Sequence, residues 1–579
     1  MFENDGASLP LCSEAEQPCV QPDSTSGAAK TAPALAAMLL LEACGGGGGS
    51  DATPAPAAST PSVAGPTTPV VVVEAKPTAA EASRFLQQAT MGATRASIDA
   101  LVATGYSAWL KEQFAMPRAT SHWDWLTARG YGVPENEGNH AGFDNTMWRQ
   151  LITDPGQLRQ RVGMALLDIL VVGIGGLVSS FRQFTMAAYV DALLDNAFGN
   201  YRDILNAVTF SPAMAMFLTY MGNRKANPST GAQPDENYAR ELLQLFTLGT
   251  QLLAPDGTPK TADLAASETF TVADVSGLAR VFTGLTWASN VSATTERTRL
   301  PLQMNAAWHE TGASSFLGTT VSGEGMAAVK AALDTIFAHP NLPPFVSRQL
   351  IQKLVTSNPS PAYVARVSAV FTDNGTGVRG DMKAVITAIL LDADARSAAT
   401  LASTTTGRLR APILRLTAWA RAFKAGSPSD AWGFGDTSSV PNALGQSPGR
   451  SPSVFNFYRP GYTPPATSVA QAGLVAPEFQ LTNEQSVIGY VNYMQKVVGK
   501  GMGDVTADYA DMLAIAGDSS ALVTEVNLLL AAGQLSAAST AMIKAAVDSV
   551  SVSASNGLIN RVGIAILLTL AAPEFLVVK

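Results

Sequence analysis

The chain has 579 residues, of which 47% are hydrophobic and 15% charged, so it carries ample apolar material for a large core. Its net charge is -8 at pH 7, and no long Lys/Arg run interrupts it. Nucleic-acid binding is therefore excluded as a reading, because phosphate contacts need concentrated positive charge.

From the N-terminus, the first feature is an apolar run, Thr31 to Ala43, preceded by Lys30 and ended by Cys44. It is too short to cross a bilayer, which takes about 20 residues. Its length suits the apolar core of a signal peptide. The end, Leu41-Glu42-Ala43-Cys44, resembles a bacterial lipobox, in which the cysteine is lipidated. Glu42 departs from the small neutral residue usual there, and the first 30 residues are acidic where signal peptides begin positive. The reading is an exported protein held on a membrane surface by acyl chains on Cys44. Five glycines follow, and then a segment rich in Ala, Thr and Pro. Neither can build a core, so residues 45–77 read as a linker between a 1–44 leader and a 78–579 body. The three cysteines, Cys12, Cys19 and Cys44, all precede the body. The body thus has no disulfide, no thiolate metal site and no cysteine nucleophile. With four histidines in the chain, no metal site is assigned and no cofactor is identified.

The body is punctuated as helices. Thr78-Ala79-Ala80-Glu81 is a capping box, and Phe85, Leu86 and Ala89 follow at helical spacing. The stretch Val162 to Val178 reads as a buried core helix interrupted by Asp168. Ser211-Pro212 and Ser360-Pro361 each place an N-cap before a first-turn proline. Stripes such as Val346, Leu350, Ile351 and Leu354 are core faces. Alternating strands bounded by hairpin turns are lacking. Ala288 to Thr320 and Ala425 to Ala476 are long irregular stretches, a length at which loops are usually functional or disordered. The fold class is all-α: a large, irregular multi-helix domain with two long Gly/Pro-rich loops and little or no sheet.

Four polar clusters could carry chemistry. Asp235 to Glu241 open a helix between Asp235 as N-cap and Gly249 as C-cap. In it Glu236 and Arg240 share a face, as do Asn237 and Glu241, because each pair is four residues apart. A carboxylate there could act as a base, and Arg240 could bind an anion; the same residues also read as a capped helix with a structural ion pair. His309 and Glu310 could form an acid-base pair, or His309 could merely tie down its loop. Gly445-Gln446-Ser447-Pro448-Gly449 fits a hydrolase elbow only superficially, since Pro448 has no N–H for an oxyanion hole. In Arg450 to Tyr462, Phe455, Phe457, Tyr458 and Arg459 form an aromatic and basic surface able to stack on a sugar or polymer, or a loop pinned by its rings.

The strings DENYARELLQLFTLG, TVADVSGLARVFTGLTW, HPNLPPFVSRQLIQKLVTSNPSPAYVARV and SVFNFYRPGYTPPATSVAQAGLVAPEFQLTNEQSV occur in that order. From about Ala82 onward the chain resembles the bacterial family catalogued as Domain of Unknown Function 1800. The resemblance implies an exported, mainly helical protein, and an exported sulfatase-like partner. It marks Glu236, Asn237, Arg240, Glu241 and His309 as family-typical positions. Glu310 departs from the aspartate usual after that histidine. The expected function is that of a membrane-tethered protein of the periplasm or outer membrane, acting on an extracellular polymer. The alternative is a non-catalytic envelope scaffold or binding module. For the first, Glu236, Arg240, Glu241, His309 and Glu310 are the candidate catalytic residues. Asn237, Phe455, Phe457, Tyr458 and Arg459 are the candidate binding residues.

Overall fold

The computed structural model describes residues 76–261, 267–288, 294–322 and 325–579. The leader, Cys44 and linker residues 45–75 lie outside the described residues. The first described helix is Ala79–Ala89, and it opens as its capping box dictates: Thr78 Oγ1 accepts from Glu81 N, and Glu81 accepts from Thr78 N at 2.8 Å. Helices dominate from there. The strands are short and pair antiparallel, Leu285–Thr286 with Gln303–Met304, Ser314–Phe316 with Thr319–Val321, and Arg408–Leu409 with Val577–Val578.

One hydrophobic core runs through the helices, from Ala82 near the start of the body to Phe575 near its end, with Trp148 and Trp419 wholly buried. The ends of the body are stitched together by arginines. Arg84 Nε donates to Lys579 O at 2.8 Å, and buried Arg410 donates to Phe575 O and to Gln87 Oε1. A smaller aromatic cluster, Trp123, Trp125, Phe181 and Phe184, sits beside the main core.

Two helices differ from the reading above. The helix containing Asp168 spans Gln157–Ile169 and does not continue to Val178; beyond it the glycine-rich segment makes a single 3₁₀ turn at Ile174–Gly176. Glycine costs a helix conformational entropy, so apolar composition alone could not extend it. The helix expected between Asp235 and Gly249 is split. Glu236 takes the N-cap position, Asn237–Glu241 is α-helical, and Leu242–Thr247 is a π-helix. Asp235 still serves that start, since its Oδ1 accepts from Asn237 N at 2.8 Å. Gly249 lies beyond the end at φ 73°, a left-handed conformation that suits glycine, and a Cβ there would meet the Phe345 ring at 2.5 Å. π-helical turns are rare and are frequently found at functional sites.

The second long irregular stretch, Ala425 to Ala476, is pinned in place. In it, Arg450 pairs with both oxygens of Asp144 at 2.7 Å and with Asp436 at 3.2 Å. Ile174 N donates to Gly449 O, and a Cβ on Gly173 would lie 2.1 Å from Ser451 O, so only glycine lets the 451 loop approach so closely. Ser447 is buried, and its hydroxyl accepts from Thr437 N. That bond assigns the serine to holding its loop.

Candidate functional site

Glu236, Arg240 and Glu310 gather along the helix Val272–Val281. Glu236 binds Arg240 at 3.0 Å and accepts from Ser276 Oγ on that helix. One turn further along, Arg280 faces Glu310 at 3.7 Å. Ser276 and Arg280 are four apart, so the helix joins the two polar clusters on one face. Asn223 makes a second link. It exchanges hydrogen bonds with the backbone of Asp235, and its carbonyl accepts from Gly284 N beside the His309 loop. Asn237 donates to Thr219 Oγ1 at 3.4 Å and lies at the same surface.

Glu241 and His309 are placed differently from their neighbours. Both are buried, at 7% and 2% exposure. His309 Nδ1 is 2.9 Å from Thr283 O, and Glu310 N donates to Thr283 Oγ1, so the threonine holds the loop from both sides. Among the described residues His309 Nε2 has no hydrogen-bond partner, nor has Glu241 Oε2. Burial raises the Glu241 carboxyl above its ordinary range, against the opposing pull of Arg240. Among the described residues no hydrogen bond or ion pair joins Glu241 to His309. The surface part of this constellation, Glu236, Arg240, Ser276, Arg280 and Glu310, is a charged ribbon that spends its charges on itself.

A cleft of about 390 Å³ lies elsewhere, and the π-helix helps to line it. Gln244 and Leu245 of the π-helix, Asp168 and Ile169 at the end of their helix, and Phe345, Arg348, Gln349 and Gln352 form its walls, with Phe455 and Tyr458 contributed by the aromatic loop. Asn341 sets the loop after the π-helix, donating to Leu248 O at 2.7 Å and Gln251 O at 2.9 Å and accepting from Leu253 N. Asn456 sets the aromatic loop, donating to Asp168 Oδ1 at 2.8 Å and accepting from Phe457 N. Phe455 is 39% exposed, with the Arg459 guanidinium 4.8 Å from its ring centre; Phe457 is half-buried, and Tyr458 is buried. Aromatic and amide groups together in a concave site are the chemistry of a ligand pocket.

Behind this cleft lies a cluster of charges, buried except for Asp168 at the cleft wall. Lys353 Nζ stands 3.5 Å from Asp168 Oδ2 and 4.3 Å from the Tyr458 ring centre, and Tyr458 Oη donates to Asp168 at 3.4 Å. Arg408 Nε is 3.5 Å from Glu478 Oε1, and both side chains are almost fully buried. Arg161 and Arg408 both donate to the Lys353 carbonyl. Burial, then the neighbouring Arg408, pushes the Arg161 guanidinium down to about 9. Burial likewise pushes the Tyr458 phenol well above its ordinary value. A chamber of about 10 Å³, the size of a single water, is bounded by Lys353, Glu478, Tyr458, Gln349 and Gln352.

Sequence reasoning placed Tyr458 and Phe455 here but passed over Asp168, Arg348, Gln349, Gln352, Lys353, Arg408 and Glu478. One signal was visible. The helix Leu342–Leu354 carries Gln349, Gln352 and Lys353 among its apolar residues, and all three are buried. Gln349, Gln352 and Lys353 share one face, being three and four residues apart, and polar residues on a buried face must find partners inside. Asp168, breaking an apolar run, was a second such signal.

Among the described residues, no group of three or more His, Cys, Asp or Glu is arranged to hold a metal ion, and no helix is long and apolar enough to cross a membrane. Comparison with curated proteins and with solved structures yields no match. A family model does match, over residues 84–577, and its description is "Protein of unknown function (DUF1800)". With nearly all of the body covered, from the first helix to the last strand, the chain belongs to the DUF1800 family.

Proposed function

We propose that this is an exported, membrane-tethered envelope protein that binds an extracellular polymer in the cleft beside Phe455. The observation that carries the reading is the cleft wall, in which an exposed aromatic ring stands among the amides of Gln244, Gln349 and Gln352. Rings stack on the apolar faces of sugars, and amides donate to and accept from hydroxyls. The charged ribbon at Glu236 and Glu310 favours binding over catalysis as the role of the family-typical surface, because its charges are paired with one another. Replacing Phe455 with alanine is expected to weaken retention by a polysaccharide embedded in a native gel by about tenfold, the loss of one stacked ring. Unchanged retention in Phe455→Ala, across neutral and acidic polysaccharides, would remove the cleft from the account.

Tethering rests on the apolar run ending at Cys44 and the glycine tract after it. In the Cys44→Ala variant the protein is expected to move from the membrane fraction to the soluble fraction. Wild-type protein recovered from the cytoplasm with its first 30 residues intact would contradict export.

A further inference from the structure

The charges behind the cleft do not balance. Buried Arg161, Lys353 and Arg408 face buried Glu478 and the partly exposed Asp168, three cations against two carboxylates. Three cationic nitrogens there, Lys353 Nζ, Arg161 Nε and Arg408 Nε, have no hydrogen-bond partner among the described residues. Lys353 is the most telling, at 4% exposure. An ammonium has three donors, and this one has only the 3.5 Å approach to Asp168 and the face of Tyr458. Leaving buried donors on a cation unsatisfied is costly, and a structural role alone would be met better by an apolar side chain.

The cleft itself continues the imbalance. Among the described residues Asp168 is the single carboxylate lining it, and Lys353 and Asn456 already engage it. Arg348, also on the wall, donates to Gly257 O at 3.5 Å. Among the described residues no carboxylate lies within ion-pair distance of it. Arg348 and Lys353 sit five residues apart on the same helix, bracketing Gln349 and Gln352. The chamber beside Lys353 and the cleft share Gln349, Gln352, Tyr458 and Pro460 as a common wall.

We propose that this end of the cleft is a subsite for an anionic substituent of the polymer, a carboxylate or a sulfate ester, met by Arg348 at the wall and by the buried positive charge around Lys353. The inference rests on the polymer-binding reading and names its substrate class as an acidic polysaccharide. Guanidinium binds planar carboxylates and sulfates through paired N–H donors. An incoming anion also relieves the mutual repulsion of Arg161, Lys353 and Arg408, which a neutral sugar cannot do.

The test uses the full-length protein and three polymers, polygalacturonate, dextran sulfate and neutral dextran, with glucuronate and glucose as small probes. At least one acidic polymer is expected to bind about tenfold more tightly than dextran, with binding falling as salt rises. Which of the two acidic polymers binds decides between carboxylate and sulfate. Arg348→Gln should abolish that preference. Where polygalacturonate is the polymer bound, glucuronate, but not glucose, should raise the melting temperature of the wild type and not of Lys353→Met. If Lys353→Met does not fold, Arg348→Gln carries the same comparison, because its side chain reaches the surface. Equal binding of dextran and both acidic polymers, with no effect of Arg348→Gln, overturns the anionic subsite and leaves the polymer reading standing. No binding of any polymer and no shift by glucuronate overturns both. A shift by glucuronate without polymer binding upholds the anion site and sinks the polymer reading.

Discussion

Glu478→Ala is expected to lower the melting temperature by several degrees, more than any substitution of an exposed acid such as Glu112→Ala. Glu478 is 2% exposed and offers one oxygen to Arg408 at 3.5 Å. Its removal leaves Arg161, Lys353 and Arg408 gathered around Asp168 alone. Breaking a buried pair by deleting one partner costs about 3–5 kcal/mol, because the surviving charge stays desolvated without compensation. Glu478→Gln keeps the shape and one acceptor but removes the charge, so its melting temperature should fall between those of the alanine variant and the wild type. Thermal unfolding followed by fluorescence measures all three. A Glu478→Ala protein as stable as the wild type would show that the cations are already compensated, and would weaken the case for a positive surplus behind the cleft.

Acid should destabilise the body through His122. This imidazole is 1% exposed, with Nδ1 3.1 Å from Thr146 Oγ1 and Nε2 without a partner. Burial, followed by the nearby Arg118, pushes it down to about 3 from an ordinary 6.5. Between those values the unfolded chain binds a proton that the folded chain refuses. The histidine's contribution to stability is therefore full above about pH 6.5, and is lost progressively as pH falls toward 3. At about 1.4 kcal/mol per pH unit, the loss reaches about 5 kcal/mol at the acid end. Asp430 and Asp504, each held down to about 2, add a second loss below about pH 3.8. Asp191, which hydrogen-bonds the His122 backbone, has its carboxyl raised by burial and works in the opposite direction. His122→Gln removes only the first effect. Its melting temperature should depend less steeply on pH than the wild type's between pH 6.5 and 4. Parallel curves for the two proteins would mean that the buried imidazole is not the group that titrates.

Much of the fold could be read directly from residue order. The capping box at Thr78 and Glu81 forms as expected, Ser360 caps the helix Pro361–Thr372 by accepting from Tyr363 N, and the stripe Val346, Leu350, Ile351 and Leu354 is buried. These are local matters. A cap needs partners three residues away, and an amphipathic stripe needs only its own period to mark an inner face. The helix through Asp168 was read too long for the same reason in reverse, because apolar character says that a segment is buried but not which conformation buries it. The π-helix at Leu242–Thr247 had no local signature at all. It is accommodated by Thr247 bonding Leu242 O and by Phe345 packed against Gly249, and Phe345 lies nearly a hundred residues along the chain.

For the site the division is similar. Residue types and order by themselves determined an all-α body, the position of the aromatic loop, and the polar segments at Glu236 to Glu241 and His309-Glu310. They determined these because capping, periodicity and family-typical strings are written in neighbouring residues. Tertiary structure alone decided that Ser276 and Arg280 join Glu236 to Glu310, while Glu241 and His309 each remain buried with an unpartnered atom. It alone brought Asp168, Lys353, Arg408, Tyr458 and Glu478 into one cluster behind the cleft. These residues span some 300 positions, and no periodicity links them. Each looks, in its own segment, like an ordinary surface charge or a break in an apolar run. Only the packing of the helices Gln157–Ile169 and Leu342–Leu354 against the aromatic loop removes them from water together, and removal from water is what makes their charges matter to one another.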